Sequence, residues 1–79
     1  MFESLTPMIE VEQAGAVCFI RLNRPDALNA FRPEMLNEIT RLLGLVEKNL
    51  SIIVVILEGQ GKAFSAGVDL KVLQGIDPK

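Results

Sequence analysis

The sequence predicts an α/β fold of the order ββαβ followed by a helical turn. Three observations predict it. Short alternating segments flank a glycine-containing turn near the start, and apolar residues recur every three or four positions through the middle. A β-branched run, Ile52-Ile-Val-Val-Ile-Leu57, then passes without a polar interruption. Alternation marks a half-buried strand, the three-and-four spacing marks an amphipathic helix, and an unbroken β-branched run marks a strand covered on both faces.

Residues 8–12 place Met8, Glu10 and Glu12 opposite Ile9 and Val11. Gln13-Ala14-Gly15 supplies a three-residue connection and residues 16–22 continue as a second strand, so a β-hairpin is expected. Asn23-Arg24-Pro25-Asp26 ends it, because proline cannot continue a ladder and Asn and Asp favour turns. A helix is expected from Pro33, a residue suited to the first helical position, to about Lys48-Asn49. Met35, Ile39, Leu42, Leu43, Val46 and Leu50 form its apolar stripe, with Leu36 at the margin. Glu34, Asn37, Glu38, Arg41, Gly44 and Lys48 lie opposite, and Glu34 and Glu38 read as a solvated face. Leu45 falls among these polar residues, uncovered. Arg32 at the N-cap forgoes a side-chain cap worth about 1 kcal/mol. Residues 52–57 are the buried parallel strand, reached by a right-handed crossover. Asp69 is placed to cap a short helix through residues 71–74, which Gly75-Ile-Asp-Pro78 would stop.

Composition sets the limits of function. With 79 residues there is room for one domain. A net charge of −2 makes no electrostatic case for nucleic acid or an anionic membrane. Cys18 has no cysteine partner, which points to a reducing compartment, and without histidine there are no Ser-His-Asp or Cys-His couples and no His-based zinc site. Any nucleophile or metal would need another chain to complete it. The acidic start has neither the basic region nor the apolar core of a signal peptide, and the longest aliphatic run is far too short to span a bilayer. A cytoplasmic protein is expected, and an organelle form after removal of a transit peptide would look the same. A mean hydropathy of +0.34 is high for so small a chain. Either the domain is unusually well packed or it expects more protein against it.

The chemistry concentrates in residues 59–70, just beyond the carboxyl end of the buried strand, where loop amides can meet anions in α/β proteins. A phosphate loop fails on spacing: Ala63 follows Gly61-Lys62 where Ser or Thr is needed, and Gly59-Gln-Gly61 is followed by Phe64 at the third glycine position. Ala63-Phe-Ser65-Ala-Gly67 approaches a nucleophile elbow. With no histidine to take its proton, Ser65 reads instead as a serine that bonds backbone. Ala66-Gly67-Val68-Asp69 sets a flexible glycine before an N-cap, so amides near Val68 can face an anion or a developing oxyanion. Spacing alone does not separate that arrangement from an ordinary strand-to-helix turn.

Two stretches carry a resemblance. Leu22-Asn-Arg-Pro-Asp-Ala-Leu-Asn-Ala30 and Gly61-Lys-Ala-Phe-Ser-Ala-Gly-Val-Asp-Leu70 closely resemble the two N-terminal signatures of the crotonase superfamily, the enoyl-CoA hydratase/isomerases. Their order and separation match as well, with Met35 in the first turn of the intervening helix. The similarity runs over essentially all of the chain from about Ile9. It implies a crotonase-like ββα-spiral, of which residues 1–79 would supply the first ββαβ unit as a single N-terminal segment, without the catalytic remainder.

The same resemblance implies roles, residue by residue. The Val68 amide would be one of two donors of an oxyanion hole for a thioester carbonyl. Ala66 and Leu70 would offer backbone contacts to the adenine of coenzyme A, with Lys62 and Ala63 along the same wall. Arg24, Ala27 and Leu28 would line the nucleotide and pantetheine path, with Arg24 placed to meet phosphate; apart from the family, Arg24 reads as a solvated turn arginine. Asp69 would be a structural cap. The second donor and the acid/base carboxylates of family members fall after the stretch matched here, and the family does not use the positions of Glu58 and Asp69 for proton transfer. The expected ligand is an acyl-CoA thioester, with coenzyme A as part of the substrate, no permanently bound cofactor and no metal. At full length a homo-oligomer, a trimer or dimer of trimers, is expected. Alone, the segment is expected to be inactive. The competing reading is a truncated, non-catalytic piece that binds coenzyme A or other subunits through its strand edge and Leu45.

Overall fold

A computed structural model describes residues 3–68 as a three-stranded sheet with one helix on it. Strands β1 (Ile9–Ala14) and β2 (Val17–Leu22) form an antiparallel hairpin. A single 3₁₀ turn, Pro25–Ala27, leads to helix α1 (Pro33–Glu47). Strand β3 (Val54–Gly59) then returns parallel to β2, giving the order β1-β2-β3. The expected ββαβ order is therefore observed. The expected helix at residues 71–74, and the roles given to Asp69 and Leu70, lie outside the described residues.

The hairpin is tighter than expected. Ala14 pairs with Val17, so the connection has two residues rather than three. Gly15 takes the first of them at φ +62°, the left-handed conformation that a twisted two-residue hairpin needs and that glycine adopts without a Cβ penalty. The ladder thus absorbs Gln13 and Ala14, which the composition of the turn had assigned to the loop.

Alternation places Ile9, Cys18, Ile20 and Leu22 on the face beneath α1, where they meet Met35, Ile39, Leu42 and Val46. Burial in this core raises the Cys18 thiol pKa. The helix contributes a narrower stripe than its periodicity predicts, with Leu36 and Leu43 exposed and Leu50 beyond its end. Leu45 is exposed, as expected. Arg32 occupies the N-cap without a side-chain cap bond, also as expected.

Two further expectations are corrected. Glu38 is not solvated: it is 5% exposed. Its carboxylate accepts from the Leu5 amide at 2.6 Å and from Arg41 at 2.8 Å, while Arg41 also donates to the Glu3 carbonyl at 2.7 Å. The N-terminal segment is lashed across the helix at this point, and its passage encloses Glu38. Strand β3 is likewise not buried on both faces. Val54, Val55, Ile56 and Leu57 are 36–48% exposed, because α1 lies over β1 and β2 and leaves β3 at the uncovered edge of the described sheet.

Candidate functional site

Because β2 and β3 run parallel, their carboxyl ends finish together. Leu22 pairs with Gly59, and the Gln60 amide donates to the Leu22 carbonyl at 2.8 Å. The two signature stretches begin at that shared end and run side by side. They are residues 22–30, continued here to Phe31, and residues 61–70, described from Gln60 to Val68.

The first is wound tightly. Pro25 starts the 3₁₀ turn, and amides of Ala27, Leu28, Asn29 and Ala30 all donate to carbonyls three to five residues back. Leu28 and Asn29 are both left-handed, at φ 52° and 55°. Asparagine tolerates that region, whereas leucine is held there at a cost of about 1–2 kcal/mol. The consequence is visible across the gap: the Leu28 carbonyl accepts the Ala66 amide at 2.9 Å and the Asn29 carbonyl accepts the Ser65 hydroxyl at 2.8 Å.

The second stretch doubles back sharply. A Cβ on Gly59 would stand 2.5 Å from the Phe64 carbonyl oxygen, so only glycine fits there. Ser65 Oγ, besides donating to Asn29, accepts the Gly67 amide at 3.0 Å. Gly67 is left-handed at φ +96°, and its carbonyl accepts the Phe31 amide at 2.7 Å, forming a parallel bridge between Phe31 and Val68. This bond fixes one more group. In a trans peptide the carbonyl of one residue and the amide of the next point in opposite directions, and no peptide here is cis. With the Gly67 carbonyl aimed at Phe31, the Val68 N–H is aimed away from the first stretch. Val68 itself is 48% exposed.

Of the residues singled out from sequence, Arg24, Ala27 and Leu28 lie on the first stretch and Lys62, Ala63, Ala66 and Val68 on the second. Leu28, Lys62 and Ala66 are exposed, while Arg24, Ala27 and Ala63 are half-buried. Arg24 Nη1 donates to the Ala30 carbonyl at 3.0 Å, so its guanidinium braces the stretch that carries it. Ser65 bonds backbone on both sides, in agreement with its structural reading. Glu58 turns to the outer face of the sheet, where it pairs with Arg21, which also bonds Glu12 at 2.8 Å and lies over the Phe19 ring. A concavity lined by Glu3, Ser4, Glu10, Val11 and Arg21 includes no residue of either signature stretch.

Asn29 is the residue that sequence reasoning passed over. It is fully buried, yet polar. Its Oδ1 accepts the Arg24 amide at 2.7 Å, and its Nδ2 donates to the carbonyls of Gln60 at 2.8 Å and Ala63 at 2.9 Å. One side chain thus joins the two stretches. The available signal was an asparagine after a proline turn, a residue type that accepts left-handed backbone.

Comparison with known proteins decides the family. A family model for Enoyl-CoA hydratase/isomerase matches residues 12–78. The chain belongs to the enoyl-CoA hydratase/isomerase family. It is 40% identical over 67 residues to a probable enoyl-CoA hydratase of Rhizobium meliloti, covering 85% of this chain and 26% of that protein. It is 41% identical over 66 residues to 3-hydroxyisobutyryl-CoA hydrolase-like protein 5 of Arabidopsis thaliana, covering 84% and 17% respectively. Among solved structures, an enoyl-CoA hydratase subunit from Geobacillus kaustophilus superposes with a TM-score of 0.84 at 39% identity, over 90% of this chain and 28% of that one. The chain therefore spans about a quarter of the length of the hydratases it matches, and its sheet and helix correspond to the first ββα unit of their fold.

Proposed function

We propose that this member of the enoyl-CoA hydratase/isomerase family contributes half of an oxyanion hole and part of a coenzyme A wall to an acyl-CoA-processing site. The observation that carries the reading is the orientation of the Val68 peptide. Its N–H is held outward, beyond the carboxyl ends of two parallel strands, by a bond on the Gly67 carbonyl at 2.7 Å. When water adds across the double bond of an enoyl thioester, attack at the β-carbon sends an electron pair to the carbonyl oxygen, and protonation at the α-carbon follows. Isomerisation passes through a similar enolate. A preorganised amide that meets this oxygen stabilises the transition state, and losing one such donor costs about 3 kcal/mol in well-studied sites.

The remaining roles follow the two stretches. Arg24, Ala27, Leu28, Lys62, Ala63 and Ala66, with Leu70, would line coenzyme A, Arg24 and Lys62 supplying positive charge for its phosphates, and Asp69 would cap the segment. Proton transfer needs an acid/base. Glu58 is engaged by Arg21, and Glu38 is closed off behind Arg41 and Leu5. Neither is placed for it. The 79 residues by themselves would thus bind thioester without turning it over. Subunit docking is a second reading, supported by the exposed apolar β3.

A titration of the ¹⁵N-labelled chain with crotonyl-CoA, set beside free coenzyme A, tests this. Both ligands are expected to move resonances of residues 24–28 and 62–66, and only the thioester is expected to move the Val68 amide. A spectrum unchanged at both stretches would refute the site, and hydration of crotonyl-CoA above the blank rate would refute inactivity.

A further inference from the structure

We propose that Asn29 is a positioning residue that sets the direction of the Val68 N–H; its importance for chemistry rests on reading that amide as an oxyanion donor. Among the described residues, its chain neighbours aside, a Cβ built on Gly67 meets no atom within 4 Å. A left-handed glycine in open space is not steered by its neighbours' volumes. What steers it is hydrogen bonding at both of its ends. Its amide donates to Ser65 Oγ, whose own hydrogen goes to the Asn29 carbonyl, and its carbonyl accepts from Phe31, two residues beyond Asn29. The Asn29 side chain anchors the other end of the same stretch through Gln60 and Ala63. Asn29 therefore holds residues 60–67 from its main chain and its side chain together, and the Val68 N–H follows from the Gly67 peptide.

The side chain's chemistry is specific. Two donors face two carbonyl oxygens in a site with no solvent access, and one acceptor faces an amide. Aspartate would keep the acceptor and the tolerance of left-handed backbone, but would turn a carboxylate oxygen on both carbonyls. Glycine would keep the backbone conformation and the Ser65 contact, and would delete the side-chain bonds alone.

Asn29→Asp and Asn29→Gly are compared with the unaltered chain by amide hydrogen exchange and ¹H–¹⁵N spectra, first without ligand. Both variants are expected to move the Val68 resonance and to lower protection of the Ala66 and Phe31 amides by about tenfold or more, while the α1 core amides of Leu42 and Val46 stay within about twofold. If Asn29→Asp does not fold, Asn29→Gly decides. An unmoved Val68 resonance with intact Ala66 and Phe31 protection would overturn the proposal. So would a loss shared equally by Leu42 and Val46, since Asn29 would then only support the fold. Crotonyl-CoA is added last: if Val68 ignores it in the unaltered chain, the oxyanion reading falls while the ligand-free spectra still decide whether Asn29 sets the peptide.

Discussion

Gly59 and Asn29 govern the site from opposite sides, one by having no side chain and the other by having a fully engaged one. At Gly59 the nearest atoms to an added methyl are backbone, the Phe64 and Ala63 carbonyl oxygens at 2.5 and 2.7 Å, which cannot rotate aside. Gly59→Ala is therefore expected to destabilise the chain by about 1–3 kcal/mol through forced backbone movement, read as a lower urea midpoint at unchanged slope. A midpoint equal to the unaltered chain's would mean that the second stretch has no fixed position over β3. Residue-level chemistry was partly legible in the sequence. Ser65 could be read as a backbone-bonding serine because histidine is missing from the whole chain. The role of Asn29 was not legible, because its partners Gln60 and Ala63 stand more than thirty positions away and are backbone carbonyls, which leave no trace in side-chain identity.

At the scale of elements, α1 illustrates both what periodicity carries and what it omits. Met35, Ile39, Leu42 and Val46 form the buried stripe that their spacing predicts. Glu38 joins that buried set only because the N-terminal segment crosses the helix, and a helical wheel has no term for a crossing chain. Its carboxyl is lowered from the ordinary 4.5 to about 2, first by the Arg41 hydrogen bonds and then by the Leu5 amide, with burial opposing both. A depressed acid contributes stability that is complete above the unfolded-state value, near 4.5, and lost as pH falls toward 2. Glu38→Gln is expected to cost about 1–3 kcal/mol at neutral pH, because it weakens the charge-assisted hydrogen bonds of a buried carboxylate to a partly exposed Arg41. It should also flatten the fall in urea midpoint between pH 4.5 and 2. An equally steep acid limb in the variant would assign that limb to other carboxylates.

For the molecule as a whole, the informative element is β3, where sequence and structure disagree about burial. Its unbroken β-branched run is the pattern of a strand with protein on both faces, and the mean hydropathy of +0.34 agrees. In the described sheet nevertheless, Val54 to Leu57 stay 36–48% exposed. The run therefore specifies an environment wider than α1 and the hairpin provide, in a chain about a quarter as long as the hydratases it matches. Strand β3 carries few of the devices that keep an outer strand solitary: it has neither lysine nor proline, and its one charge, Glu58, is paired with Arg21. Concentration-dependent association of the isolated chain is the expected consequence. Ile56→Lys tests it with little risk to the fold. Position 56 is on the outer face, in register with Phe19 and two residues from Glu58, while Glu12 faces Phe19 from β1. A cation there stands beside the surface cluster of Arg21 with Glu12 and Glu58, which carries one more negative than positive charge, rather than in a core, so its effect on stability should stay within about 1 kcal/mol. In sedimentation velocity the unaltered chain should show a weight-average coefficient that rises with concentration, and Ile56→Lys should hold it at the monomer value. A monomeric unaltered chain across that range would mean that exposed apolar area on β3 does not by itself drive pairing, and that its pattern serves intramolecular contacts alone.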